Sequence, residues 1–319
     1  MIHVHSSVST PQSDQWPSLP FQEWKQTYAT LHMWTQIVGK IRLVQTPWIN
    51  HSWHTALYVT SRGLTTSPIP YEDRSFQIDF DFIEHKLFIK TSGGEVKTIA
   101  LAPRSVADFY TELFTKLGEL DLKVKINTTP NEVAAPIPFE QDHEHADYDA
   151  DYANRFWRAL VHADRVFTQF RARFIGKCSP VHFFWGSFDL AVTRFSGRQA
   201  PAHPGGVPNL PDWVAREAYS HEVSSCGFWP GSEQMPQPIF YAYAYPAPEG
   251  FSMATVRPQG ASYSAELQEF IFPYDEIRQS AHPDAALLEF LQSSYEAAAD
   301  LGGWNRPELE RPDLPLQFD

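Results

Sequence analysis

The residues best suited to chemistry lie in the second half of the chain. His182 stands in Val181-His182-Phe183-Phe184-Trp185, and Asp189 in Phe188-Asp189-Leu190-Ala191-Val192, both inside apolar runs. Burying an ionised carboxylate in such a run is costly unless a cation or a hydrogen-bond donor meets it. Arg194, Arg198, His221 and Glu222 follow in the same half and are the available partners. Two histidines and a carboxylate form a ligand set for a zinc or iron ion with open positions, which makes His182, His221 and Glu222 the candidate metal ligands. Without a metal, His182, His221, Glu222 and Asp189 form a general acid–base set, with Arg194 and Arg198 holding the carboxylate of an anionic substrate. The third arrangement is a buried hydrogen-bond network between strands, with no chemistry at all. Spacing does not choose among the three, because the residues come from distant segments.

Other side chains extend the candidate site. Tyr241, Tyr243 and Tyr245 alternate with Phe240, Ala242 and Ala244, which puts three phenols on one face of a strand. Trp185 and Tyr243 are then expected on the wall of an aromatic cleft, and Arg62 is expected to join them from the first half. There, His51 and His54 flank Trp53. Cys178 and Cys226 lie close in sequence to His182 and His221, so a Cys–His nucleophile is conceivable, although a free cysteine is more often a small buried hydrophobe. Asp142-His143-Glu144-His145-Ala146-Asp147 is rich in metal-ligand types but reads as a solvated acidic loop. Met1-Ile2-His3 has the composition of a terminal copper or nickel chelate. The signatures of a P-loop, a dinucleotide fold, an α/β-hydrolase elbow, a zincin and a paired C-x-x-C site are all absent.

The elements that must position these groups follow from composition and periodicity. The 319 residues are 43% hydrophobic and 20% charged, ordinary for a folded globular chain. A formal charge of −13 disfavours phosphate backbones and anionic lipid as partners, leaving a small molecule as the expected ligand. No apolar run approaches the roughly 18 residues of a spanning helix, and Met1–His5 does not resemble a signal peptide, so a cytoplasmic setting is expected. Aromatic residues make up 14% of the chain, which suits a β-rich core or a ring-lined cleft. Nothing in the composition fixes an oligomeric state.

Helix periodicity predicts helices over Pro20–Val38, from Ser105 to Gly118, over Asp151–Ile175 and over Pro283–Leu301, with Gly39, Gly118 and Gly302 as stops. Strands are predicted at His54–Arg62, Phe76–Phe82, Leu87–Thr91, Val96–Leu101, Leu122–Asn127, Val181–Trp185, Phe188–Phe195, Glu222–Phe228 and Ile239–Tyr245. Val38-Gly39-Lys40 and Ile175-Gly176-Lys177 each close an aromatic helix, and each is followed by a tryptophan and a Val-Thr strand. The expected fold is therefore α+β, with antiparallel sheets, helices on one face, and two duplicated helix–sheet–helix lobes about a pseudo-twofold. The boundaries expected are a first lobe over 1–129, an acidic proline-containing connector over 130–149, a second lobe over 150–303 and a loose tail over 304–319.

Several stretches carry a resemblance: Trp24-Lys25, Thr30–Lys40, Arg62–Thr66, Gly176–Asp189, Tyr219–Ser225 and Gly227–Gly231. Together they resemble a bacterial family catalogued as a domain of unknown function, number five-nine-nine-six. The resemblance covers nearly the whole chain and implies one integrated bacterial, cytoplasmic unit. It brings no activity, cofactor or catalytic residue. The functional expectation thus rests on the residues themselves: an enzyme acting on a small anionic organic molecule in an aromatic cleft, metal-assisted or not, or a non-catalytic protein that binds a small molecule or partner in the same cleft.

Overall fold

The computed structural model describes residues 16–312. The first half opens with α1 (Phe21–Gln45), a helix buried on every side from Met33 to Arg42. Its Leu31, Trp34, Ile37 and Ile41 are in the core, but so are Gln36, Lys40 and Arg42, whose polar ends are met by backbone carbonyls. A helix buried all round has no one-sided apolar stripe. It also runs past Gly39, the expected stop. The glycine serves a different purpose: an added Cβ would lie 2.2 Å from the indole of Trp185, so Gly39 is the notch into which that ring packs.

Six strands follow: β1 (Tyr58–Val59), β2 (Gly63–Thr65), β3 (Ile69–Tyr71), β4 (Arg74–Asp81), β5 (Lys86–Thr91) and β6 (Val96–Ala100). They form an antiparallel sheet in the order β1-β2-β4-β5-β6, with β3 also on β4. Phe76, Ile78 and Phe80 point into the core, as their period-two spacing predicts. The sheet is closed by α2 (Val106–Gly118), whose first turn is capped by Ser105 accepting from the Asp108 N–H. Leu122–Asn127, expected as a strand, has no regular secondary structure and pairs with no strand among the described residues.

The second half also opens with a helix. After α3 (Ala150–Ala172), capped by Asp149, come β7 (His182–Phe184), β8 (Asp189–Gln199), β9 (His221–Trp229), β10 (Ile239–Tyr245), β11 (Ser262–Ser264) and β12 (Glu269–Pro273). Their sheet is antiparallel in the order β11-β12-β10-β9-β8-β7. A short helix, α4 (Asp212–Ala218), interrupts the β8–β9 connection, and α5 (Tyr274–Gln279) and α6 (Pro283–Leu301) follow the sheet. The fold is α+β with two antiparallel sheets. The sheets meet edge to edge, where Leu57 and Phe183 exchange two backbone hydrogen bonds of 2.9 and 2.8 Å.

Two segments expected to be loose are pinned. Residues 304–312 include α7 (Arg306–Leu309), whose Arg306 bonds Asp300, Glu296 and Glu310, while Glu310 pairs with Phe174 through a backbone bridge. Asp142, in the string expected to be a solvated loop, is fully buried; it accepts from the His145 ring at 2.7 Å, and its carbonyl accepts from the first turn of α2. The chain also crosses between halves before α1. Trp16 donates to Asp284 on α6 at 3.1 Å and packs against Phe240 and Tyr274 of the second half. Met1-Ile2-His3 lies outside the described residues. Among those residues no helix is long and apolar enough to cross a membrane.

Candidate functional site

Side-chain alternation along β8 decides which expected residues meet. Asp189, Ala191 and Thr193 face away from the helices and line a cavity of about 610 Å³ on the outer face of the second sheet. Leu190, Val192 and Arg194 face the other way, toward α3. Positions five apart in a strand point to opposite faces, so Arg194 cannot serve a ligand held at Asp189. It is instead wholly buried in an aromatic cage, its guanidinium 3.4 Å from the Phe170 ring centre and 4.3 Å from that of Tyr295. It donates to the Phe170 carbonyl, and burial lowers its pKa to about 10. The other expected anion anchor, Arg198, pairs with Glu222 at 2.7 Å beyond the bulge in β8, away from the cavity. Arg62 pairs with Asp81 at 2.5 Å and Glu84 at 3.0 Å on the surface of the first half. Among the described residues no lysine or arginine lines the cavity.

The histidine set likewise disperses. His182 is fully buried beneath Trp53 and Tyr58, the phenol oxygen 3.4 Å from its Nε2. Burial, aided by the charges of Arg42 and Arg171, lowers its pKa to about 3, so it is a neutral core histidine. His221 bonds its neighbour Ser220, and Glu222 points to the opposite face of β9, where Ser196 and Arg198 hold it. Adjacent strand residues cannot aim at one ion. Among the described residues no three His, Cys, Asp or Glu side chains gather to hold a metal, which corrects the expected ligand set. The cysteines also fall away as nucleophiles, since burial pushes the Cys178 thiol up to about 11 and the Cys226 thiol further.

Asp189, Trp185 and Tyr243 are the expected site residues that come together, and the register explains how. Tyr241 on β10 stands opposite Gly227 on β9, which stands opposite Ala191 on β8. A Cβ on Gly227 would lie 2.4 Å from the Tyr241 ring, so the glycine leaves the path by which that ring crosses β9. The phenol then donates to Asp189 Oδ2. Tyr243 stacks beside Tyr241 and bonds the Tyr219 hydroxyl at 2.8 Å. Trp185 donates to the Thr55 carbonyl at 2.8 Å, which fixes its ring between α1 and the cavity.

Two carboxyls complete the site without having been foreseen. Glu269 opens β12 and lines the same cavity. Its signal in the sequence is a carboxylate leading the alternating run Phe270-Ile271-Phe272, a weak one. Glu132 comes from the connector and has no such signal. It reaches in because Gly186 has no side chain, a Cβ there falling 1.9 Å from Glu132 Oε1, and it accepts from Ser187 at 2.5 Å. Gln36 on α1 clamps the neighbouring Asn131 backbone through both ends of its amide, at 2.8 Å each.

Burial raises the Asp189 pKa to about 7; the Tyr241 bond opposes this and the Glu132 charge reinforces it. Burial, with the charge of Asp189, raises Glu269 to about 7, and burial also raises Glu132.

The roof over these groups comes from the first half. Trp48 donates to Glu217 at 3.0 Å and packs on Trp213 of α4, while His51 Nδ1 lies 3.1 Å from the carbonyls of Glu217 and Ala218. Those contacts place the His51 proton on Nδ1, leaving Nε2 to accept from Lys177 at 2.5 Å. His51, Ser52 and Glu132, all lining the cavity, hold φ near +60° without being glycine. Such backbone strain concentrates where the surrounding structure imposes a site.

Residues 16–311 match the family of unknown function DUF5996. The chain belongs to the DUF5996 family. No curated protein and no solved structure matches it. For this DUF5996 chain, the chemistry must therefore be argued from the cavity.

Proposed function

We propose that this protein binds a small organic molecule in the cavity on the outer face of the second sheet and moves a proton to or from it, with Asp189 and Glu269 as the acid–base pair. The observation that carries this reading is the arrangement itself: two carboxyls from different strands open into one aromatic space, and one of them is held by a phenol. The volume, about 610 Å³, suits a metabolite-sized ligand. Carboxyls that titrate near neutrality give and take protons with comparable ease. This keeps Asp189 from the expected catalytic set and replaces His182, His221 and Glu222 with Glu269. Binding without chemistry is the second reading, favoured by the number of rings around so few proton-transfer groups.

The cavity's asymmetry fits an ancient duplication. Each half runs helix, antiparallel strands, helix, and five of the six strands in each sheet match in order, β1-β2-β4-β5-β6 with β7-β8-β9-β10-β12, while β3 and β11 take different places. A twofold exchanging the halves would set β1 against β7 antiparallel at the axis, where Leu57 and Phe183 pair. Two free thiols suit a reducing bacterial cytoplasm.

A thermal-shift screen of metabolites at neutral pH tests the function, with hits incubated in deuterated water and followed by NMR. A hit that raises Tm by several degrees, and whose carbon-bound hydrogens exchange with solvent only when Asp189 and Glu269 are intact, is the expected result. Exchange unaffected by Asp189→Asn and Glu269→Gln removes the acid–base role, and hits with no exchange at all leave the second reading.

A further inference from the structure

The charge of the cavity indicates what it would hold. Among the described residues three carboxyls line it, and the one side chain there able to become cationic is His51, whose protonation is opposed by burial and then by the facing Lys177 ammonium. Asp189 is 7% exposed, has a phenol as its side-chain partner and makes no ion pair. The Glu269 carboxyl, raised by burial and the charge of Asp189, has no side-chain hydrogen bond or ion pair among the described residues. Elsewhere in the molecule buried or half-buried carboxylates have found cations: Asp81 has Arg62, Asp79 has Lys90 and Asp142 has His145. The walls are rings whose negative faces favour positive charge, among them Trp48 and Trp213 with centres 5.2 Å apart, and Tyr241 and Tyr243 at 6.1 Å.

An inorganic anion or a carboxylate substrate would find no cation there and would meet like charge from each of the three carboxyls that is ionised. A metal ion would need ligands that converge, and no such group exists among the described residues. We propose that the ligand is an organic cation, a protonated amine or a quaternary ammonium, seated against the Tyr and Trp rings with its charge between Asp189, Glu269 and Glu132. The assignment rests on the reading of this cavity as the ligand site. The carboxyls are dispersed around a volume of metabolite size, which suits a charge carried on a carbon frame.

Binding of matched probes to the full chain, read by tryptophan fluorescence and Tm, tests the charge separately from the site. The probes are choline and its carbon isostere dimethylbutanol, tyramine and the neutral para-propylphenol, and phenylacetate as the anion. Choline or tyramine is expected to bind at least tenfold tighter than its neutral partner at pH 8. That preference is expected to fade as pH falls below about 7 and Asp189 and Glu269 take up protons. Glu269→Gln should cost the cation about tenfold while leaving para-propylphenol unchanged; Asp189→Asn, whose amide oxygen can still accept from Tyr241, is the second variant should the first unfold. Equal binding of charged and neutral partners, or tighter binding of phenylacetate, overturns the cation assignment and leaves the cavity a ligand site. Silence of all five probes, with a blank metabolite screen, removes both.

Discussion

The outer faces of the two antiparallel sheets carry opposite chemistry. On the first sheet, Asp79 of β4 is bonded by Lys90 at 3.0 Å and Gln77 at 2.8 Å, a neutralised carboxylate on an ordinary surface. On the second, Asp189 meets a phenol and two further carboxyls under a roof borrowed from the first half. Two six-stranded antiparallel sheets therefore present, in one case, an exterior whose carboxylates are paired and, in the other, a functional candidate whose carboxyls are enclosed without cations. Enclosure costs folding free energy, and a site that tolerates it is under some demand other than stability.

Substitutions on the two faces should separate accordingly. The largest effect is expected from Gly227→Ala, whose Cβ would meet the Tyr241 ring and the Leu190 carbonyl; a loss of about 3 kcal/mol, read from denaturant midpoints, is the expectation for such overpacking. Survival of full stability would mean that the ring does not cross β9 there.

Asp189→Asn should act in the opposite direction. Its folded pKa lies above the ordinary 3.8, so its contribution to stability is present at acid pH and is lost as pH rises through about 7. The groups facing it are Tyr241, Glu132, Glu269, Tyr219 and, from α1, Tyr28. The asparagine variant should match the parent near pH 4 and exceed it by about 2 kcal/mol at pH 8. Glu269→Gln should follow the same course at about half the size, being less enclosed. In the Asp189→Asn protein the Glu269 carboxyl should titrate lower, since a like charge is gone, which carboxyl NMR would detect. The smallest effect belongs to the first sheet: Asp79→Asn should change stability by less than about 1 kcal/mol, because the Lys90 end of the pair is half exposed and such a solvated ion pair contributes little. A large effect there would erase the contrast.

Local patterns of the chain were legible where one force acts alone. The alternation of Phe76, Ile78 and Phe80, the Ser105 cap and the span of α6 all follow from burial or capping within a few residues. Gly39 misled because a helix stop and a packing notch call for the same residue, and the notch is cut for a ring distant in sequence. Arg194 misled because an arginine near a buried aspartate suggests a pair, while alternation in β8 sends it to the opposite face, where aromatic rings take the place of a carboxylate. Asp189 stood out because its neighbours are apolar. Glu132 did not, since its burial depends on Gly186 and on the Gln36–Asn131 clamp, contacts that exist only after the halves have assembled.

The crossing of Trp16 onto α6 gives the molecule a topology of mutual custody. The segment before α1 is held by the second half, while the loop after α1 roofs the second half's cavity. Each half thus retains a piece of the other. A single proteolytic cut within the connector should leave the two fragments bound as a nicked complex that elutes at the size of the intact chain. Two polypeptides divided at that point and expressed together should reassemble the cavity, which offers a split format in which ligand and assembly report on each other.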